Sequence, residues 1–165
     1  MRARGGVVRE RGLRIVLTWR RPEHADHARI VAVVDDWWGG RQMVAMLPAL
    51  FIDHFAGTSY VVDDADGNLA AFIIAFDSQA DDSTVYVHFI GVAPAYRGSG
   101  LGRELYGRVA RDAKAAGRSR LKAVTSPVNA NSLAFHEAIG LEIGSVVLDY
   151  DGPGEDRVPM SLPVI

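Results

Sequence analysis

Ile90-Gly-Val-Ala-Pro-Ala-Tyr-Arg-Gly-Ser-Gly-Leu-Gly-Arg103 is the stretch whose reading decides the fold. It closes a strand, Thr84 to Val92, that is apolar on both faces and so reads as central in a sheet. Pro94 turns the chain. A helix then follows over Leu101 to Ala116, with Leu101, Leu105, Val109 and Ala113 on one stripe and Gly117 as its stop. Gly98, Gly100 and Gly102 remove side chains where backbone N–H groups point outward from a helix N-terminus. Such a place suits anionic oxygens, because the first N–H groups of a helix have no intrahelical acceptor and the macrodipole favours negative charge. Arg97 and Arg103 flank it and can pair with phosphate through charged hydrogen bonds. The competing reading is a glycine-rich turn with no ligand.

Two nucleotide loops fail residue by residue. A P-loop needs a lysine before its last Ser or Thr, and the only lysines of the chain are Lys114 and Lys122. A dinucleotide loop needs a third glycine, and Arg103 or Leu105 stands at that place in the two possible registers.

Working outward, Arg120 to Thr125 reads as the next strand, so the strand–helix–strand unit calls for a parallel crossover. Ser132 to Ile139 is a short helix closed by Gly140. Ile143 to Leu148 and Val158 to Leu162 are further strands. Upstream, Ile15 to Trp19 is a strand, and helical patterns follow from Pro22 to about Asp35 and from Arg41 to Phe55, with a break expected at Pro48. Trp37-Trp38-Gly39-Gly40 lies between them as a loop. Ser59 to Val62 and Leu69 to Phe76 flank an acidic turn and read as a hairpin. The fold class expected is α/β (α+β): a mixed, mostly antiparallel central sheet with one parallel β-α-β unit and helices on both faces.

The glycine stretch resembles the signature of the GNAT superfamily of acyl-CoA-dependent N-acetyltransferases. That signature is [Q/R]-x-x-G-x-[G/A] after a strand ending V-x-P, and here it stands as Arg97-Gly98-Ser99-Gly100-Leu101-Gly102 after Val92-Ala93-Pro94. A second block of the family appears as Asn129-Ala-Asn-Ser-Leu-Ala-Phe-His-Glu-Ala-Ile-Gly-Leu141. The blocks Trp37-Trp38-Gly39-Gly40-Arg41, Thr125 to Asn129 and Asp149 to Gly154 look like those of a less studied bacterial branch.

The resemblance implies a single-domain GNAT-like fold and acetyl-CoA as co-substrate. Its pyrophosphate would sit on the amides of Gly98, Ser99, Gly100, Leu101, Gly102 and Arg103, beside Arg97. Its pantetheine arm would pair with the backbone of Ile90, Gly91 and Val92 as an added strand. Asn129 would contact the pantetheine or thiol end. Ser132 is a weaker candidate that can equally cap the following helix. The implied reaction is amine attack on a thioester carbonyl, which needs a neutral amine and a proton for the leaving thiolate. Where the family often has a tyrosine as acid, this chain has His136. It is either that acid, as an imidazolium, or a helix residue that only touches CoA. Thr84 to Val92 contains no acid. Its conventional base is His88, read either as the base or as a satisfied core histidine. Trp37, Trp38 and Arg41 are candidate amine-site residues, by ring stacking, cation–π contact or carboxylate binding. The alternative is that they pin and solvate the loop.

The remaining composition narrows the class. With 48% apolar residues, a 165-residue chain can bury a sizeable core. The absence of cysteine removes disulfides, thiolate metal sites and a cysteine nucleophile, and with the last a ping-pong route. Asp35-Asp36 and Asp63-Asp64-Asp66 match no full calcium loop and read as solvated turn acids; no metal is expected. Seven arginines and a single acid fall within residues 1–21, which leaves the rest of the chain acidic. Residues 1–12 are expected to be a basic, disordered arm before a domain over 13–165. The acidic body argues against a nucleic-acid surface, and no apolar run is long enough for a membrane span, so a cytoplasmic location is expected. The partner expected is a small-molecule, amino-acid or peptide amine, and the resemblance allows a homodimer. An N-acetyltransferase is thus the leading reading, and a CoA-binding regulatory module with little turnover is the alternative.

Overall fold

The computed structural model describes residues 4–10 and 13–165, with side chains described from Ile15 onward. The described chain divides into two compact units. The first comprises the residues up to Ala75 together with Phe89–Val109, and the second comprises Phe76–His88 together with Ala110–Ile165.

The first unit is built on an antiparallel run. β1 (Arg4–Glu10) pairs with β2 (Leu13–Arg20), β2 with β3 (Tyr60–Asp63), and β3 with the start of β4 (Leu69–Asp77). The expected disordered arm over 1–12 falls partly on residues 1–3 and 11–12, which lie outside the described residues. Arg4–Glu10 itself forms a strand, in register with β2 from Arg4↔Trp19 to Glu10↔Leu13. The register slips between Val62 and Asp63, so Asp63 faces Leu69. β4 is buried from Ala70 to Ala75, which explains its unbroken apolar run.

Helices cover this run with a core of Ile30, Val34, Leu47, Ile52, Val61, Phe72, Ile74 and Phe89. Each such side chain contributes about 1.5–3 kcal/mol on burial. The expected helix from Pro22 to Asp35 is instead α1 (His24–Val31) and a single turn, α2 (Val34–Trp37). The expected helix from Arg41 to Phe55 is reduced to a 3₁₀ turn at Val44–Met46 and a short α3 (Leu50–His54). The break centres on Pro48. Leu47 before it sits at φ −129°, ψ 68°, outside the helical region that a following proline disfavours.

Four charges knit this unit together. Asp26 is 2% exposed. It accepts hydrogen bonds from Arg20 at 2.7 Å, from Arg29 at 2.8 Å and from the Glu23 amide at 2.8 Å. Asp63 accepts from Arg20 at 2.9 Å and Arg29 at 2.7 Å. Burial alone would raise the Asp26 carboxyl, but the donors from Arg20, Glu23 and Arg29 outweigh it and hold the group below its ordinary value. Asp63 is therefore an ion-pair partner and not the solvated turn acid expected from sequence.

The second unit holds the parallel pairing. The first residues of β5 (Thr84–Val92) pair in parallel with β6 (Arg120–Thr125), from Thr84↔Arg120 to Tyr86↔Lys122, and α4 (Leu101–Ala115) stands between β5 and β6 in the sequence. β6 runs antiparallel to β8 (Val158–Pro163), which also pairs with β7 (Glu142–Ile143). The strand expected from Ile143 to Leu148 survives only as β7 and an isolated bridge, Val147↔Arg157. Gly144 next donates to Pro159 at 2.8 Å, and Pro159 has no N–H to return, so the ladder stops. α5 (Ala130–Ala138) follows β6. The fold class is thus the mixed α/β one expected, antiparallel ladders with one parallel pair. Among the described residues, no helix is long and apolar enough to cross a membrane.

Candidate functional site

The glycine loop keeps the shape its sequence asks for. Gly98 and Gly100 sit at φ +77° and +86°, in the left-handed region that an L side chain rarely adopts. A Cβ at either would meet no atom within 4 Å. The glycines are therefore needed for main-chain direction, and the space beside them is open. Glu104 is bonded at 3.0 Å to the Gly100 carbonyl, which closes the first intrahelical ring of α4. The amides of Leu101, Gly102 and Arg103 precede that ring, at the N-terminus where the i→i−4 ladder begins. Leu101 and Gly102 are buried and root the helix start, while Arg97, Gly98, Gly100 and Arg103 are exposed and Ser99 is half-buried.

Three side chains, those of Ser99, Tyr96 and Arg97, fix the loop from behind. The Ser99 hydroxyl donates to the Tyr96 carbonyl at 2.6 Å. The Tyr96 hydroxyl donates to Asp64 Oδ2 at 3.2 Å, and Asp64 is set by the Asp66 and Asn68 amides, each at 2.9 Å. Desolvation alone would raise the Asp64 carboxyl, but the Asn68 amide and side chain, the Asp66 amide and the Tyr96 hydroxyl together outweigh it and hold Asp64 below its ordinary value. Arg97 turns its guanidinium to the main chain: Nε donates to the Val92 carbonyl at 3.2 Å and Nη2 to the Trp37 carbonyl at 2.7 Å.

That last bond joins the loop to the tryptophan turn. Trp37 stacks on Phe72 at 6.1 Å between ring centroids, and Trp38 lies 5.2 Å from Phe89 and 6.3 Å from Phe72. Both rings are half-buried against the core, so they do pin the turn, and each keeps part of its surface exposed. Gly91 on β5 is buried beneath them. A Cβ there would lie 2.6 Å from Phe72 Cε1 and 3.1 Å from Trp38 Cη2, so only glycine fits. Ile90 and Val92 on either side are half-buried. Asp35 closes the turn, its Oδ1 accepting from the Met43 amide at 2.6 Å and the Val44 amide at 3.1 Å. Between these anchors Gly39 and Gly40 run at φ +70° and +84°, and Arg41 is exposed.

The remaining candidates belong to the second unit. Asn129 and Ser132 are half-buried and His136 is 5% exposed. Asn129 caps α5 by accepting from the Ser132 amide at 3.2 Å. His136 Nδ1 lies 2.7 Å from the Ser132 carbonyl and 3.2 Å from the Ser132 hydroxyl. A carbonyl only accepts, so Nδ1 carries the proton and Nε2 is the acceptor of the neutral ring. Burial lowers the His136 pKa against a smaller opposing effect of the Ser132 carbonyl. His88 is half-buried on the same strand face as Tyr86, whose hydroxyl is pushed up to about 12, mainly by burial and then by the charges of Tyr150 and Asp151.

The structure thus brings Ile90–Val92, the glycine loop, Trp37 and Trp38 into one unit, and groups His88, Asn129, Ser132 and His136 in the other. Sequence reasoning missed Asp35, Asp64 and Tyr96 as supports. Asp64 carried a signal, since Asp64-Ala-Asp-Gly-Asn68 is a turn sequence in which the first carboxylate accepts from amides further on. Among the described residues, no group of three or more His, Asp or Glu is arranged to hold a metal ion.

Compared with known proteins, the sequence matches the acetyltransferase (GNAT) family over residues 14–141. An L-2,4-diaminobutyric acid acetyltransferase from Nocardia farcinica is 30% identical over 96 residues, covering 58% of this chain and 49% of that protein. The matched region therefore spans about half the length of that relative. A solved GNAT-family structure from Desulfovibrio desulfuricans is 25% identical, superposes with a TM-score of 0.76, and covers 90% of this chain and 99% of its own. A phosphinothricin acetyltransferase from Sinorhizobium meliloti, solved in complex with acetyl-CoA, shares the fold at 22% identity and a TM-score of 0.68, over 90% of this chain and 88% of that one.

Proposed function

Because the chain belongs to the GNAT acetyltransferase family, we propose that it moves an acetyl group directly from acetyl-CoA to a primary amine of a small molecule, amino acid or peptide. One observation carries the donor half: two left-handed glycines, Gly98 and Gly100, lead into the start of α4, and the space beside them is open. A diphosphate offers the charge and the acceptor oxygens that a helix N-terminus favours. Arg103 adds a guanidinium at the same end. Ile90, Gly91 and Val92 supply an extended backbone for the pantetheine amides.

In the reaction the amine nitrogen bonds to the thioester carbonyl carbon and the C–S bond breaks. One proton leaves the nitrogen and one is taken up by the departing thiolate. His136 and His88 are the groups proposed to handle these protons. Burial makes neutral His136 the resting form, so a donor role requires the ring to take up a proton first. Asn129 is proposed to meet the thiol end of the donor and Ser132 to hold the His136 ring. Trp37 and Trp38 offer the amine flat apolar walls, and Arg41 offers a guanidinium to any carboxylate it carries.

The test joins calorimetry with CoA to thiol release from acetyl-CoA across a panel of amines. The panel includes L-2,4-diaminobutyrate, a polyamine and a peptide with a free N-terminus. CoA heat and thiol release with at least one amine are expected. No heat with CoA or acetyl-CoA overturns the reading. Heat without turnover on any amine favours a CoA-binding regulatory module instead, a reading supported by the lack of any acid along β5.

A further inference from the structure

Arg97 occupies the signature position at which an arginine is expected to pair with phosphate. Its guanidinium is instead spent on two carbonyls, Val92 O at 3.2 Å and Trp37 O at 2.7 Å. These belong to the end of β5 and to the tryptophan turn, so one planar fork ties the two together. A fork is suited to this, because its donors diverge in a fixed plane, whereas an ammonium is a single rotatable point charge. The turn has two further anchors. Asp35 holds the Met43 and Val44 amides on its far side, and Trp38 lies on Gly91, which has no room for a side chain. Between Asp35 and Arg97 the main chain of the turn is held at both ends.

We propose that Arg97 is a positioning residue for the amine: it fixes the Trp37–Trp38 turn against β5, and amine affinity depends on it while donor affinity does not. The proposal rests on the donor and acceptor reading above. Each bond to a carbonyl is charge-assisted, which makes it stronger than a neutral one even at a partly exposed place. A coupling of this kind changes affinity by roughly five-fold or more.

The experiment compares wild type, Arg97→Ala and Arg97→Lys. CoA affinity is read by calorimetry, the KM of the best panel amine by thiol release, and tryptophan exposure by acrylamide quenching. The expected result is a CoA Kd within about threefold across all three, an amine KM raised about fivefold or more in Arg97→Ala, and stronger quenching in that variant. A tenfold loss of CoA affinity in Arg97→Ala that Arg97→Lys restores, with the amine KM unmoved, makes Arg97 a phosphate ligand and overturns the proposal. An unchanged amine KM and unchanged quenching in both variants overturns it as well. Should Arg97→Ala fail to fold, Arg97→Lys alone decides, since it keeps the charge but cannot span both carbonyls. Wild-type protein that gives no CoA heat defeats the donor reading itself and the proposal with it; the other failures leave the donor reading standing.

Discussion

Two helices of this chain begin in opposite ways. α5 is sealed by its own sequence: the Asn129 side chain accepts from the Ser132 amide at 3.2 Å, as a helix start in water ordinarily requires. α4 has glycines where a capping side chain would stand. Its entry is shaped by φ values of +77° and +86° at Gly98 and Gly100. A helix start without a capping side chain leaves its first amides to water, to neighbouring groups or to a ligand. The sealed helix spends its polar groups inward, turning His136 Nδ1 onto its own Ser132 carbonyl at 2.7 Å.

The contrast can be broken from either side. The largest effect is expected from filling the open start. In a Gly98→Ala/Gly100→Ala double variant, each methyl carries a left-handed cost of about 1–2 kcal/mol, which the loop relieves by re-folding away from the ligand-ready shape. Calorimetry should then show CoA binding weakened about 10²-fold, and near-wild-type affinity would mean the amides are not the donor site.

Unsealing α5 comes next. Asn129→Ala should lower stability by about 1 kcal/mol in urea titrations, and Asn129→Gly by only a few tenths. Equal losses would show that the cap bond is idle.

A third effect is in pH. Burial depresses His136 in the folded state, so the unfolded chain binds its proton first. Stability from this group is therefore full above the ordinary histidine value, about 6.5, and is lost as pH falls from there toward the depressed folded value. His136→Gln should flatten that acid limb of the urea midpoint against pH; an identical slope would point to other groups.

The smallest effect belongs to the brace behind the open helix. Ser99→Ala removes the 2.6 Å bond to the Tyr96 carbonyl and should raise the CoA Kd about threefold, in line with a net hydrogen bond near 1 kcal/mol.

What could be read from the sequence follows from where the information lies. β5, the glycine loop, α4, β6 and α5 each combine strong periodicity with a nearby breaker, and all appear close to where expected. The loss of helix around Pro48 was readable as a break, but not its extent, because the burial of Leu47 in the core is a tertiary fact added to the local preference that Pro48 sets. The strand after Glu142 failed because its would-be partner is Pro159, a fact of register that no local pattern carries. Asp63 looked like a solvated acid because its partners Arg20 and Arg29 stand 43 and 34 residues away. The same holds for Arg97 and Trp37, 60 residues apart, and for the direction of the His136 shift, which burial sets.

The carboxylate of Asp35 makes the segment from Asp36 to Gln42 a sealed ring hung on the domain: one end is drawn in by the Met43 and Val44 amides and the other by the Trp37 carbonyl. Variation at the exposed rim, residues 39 to 42, is thereby insulated from the core beneath. Selection or an engineer can rewrite that rim while the ring that carries it keeps its shape.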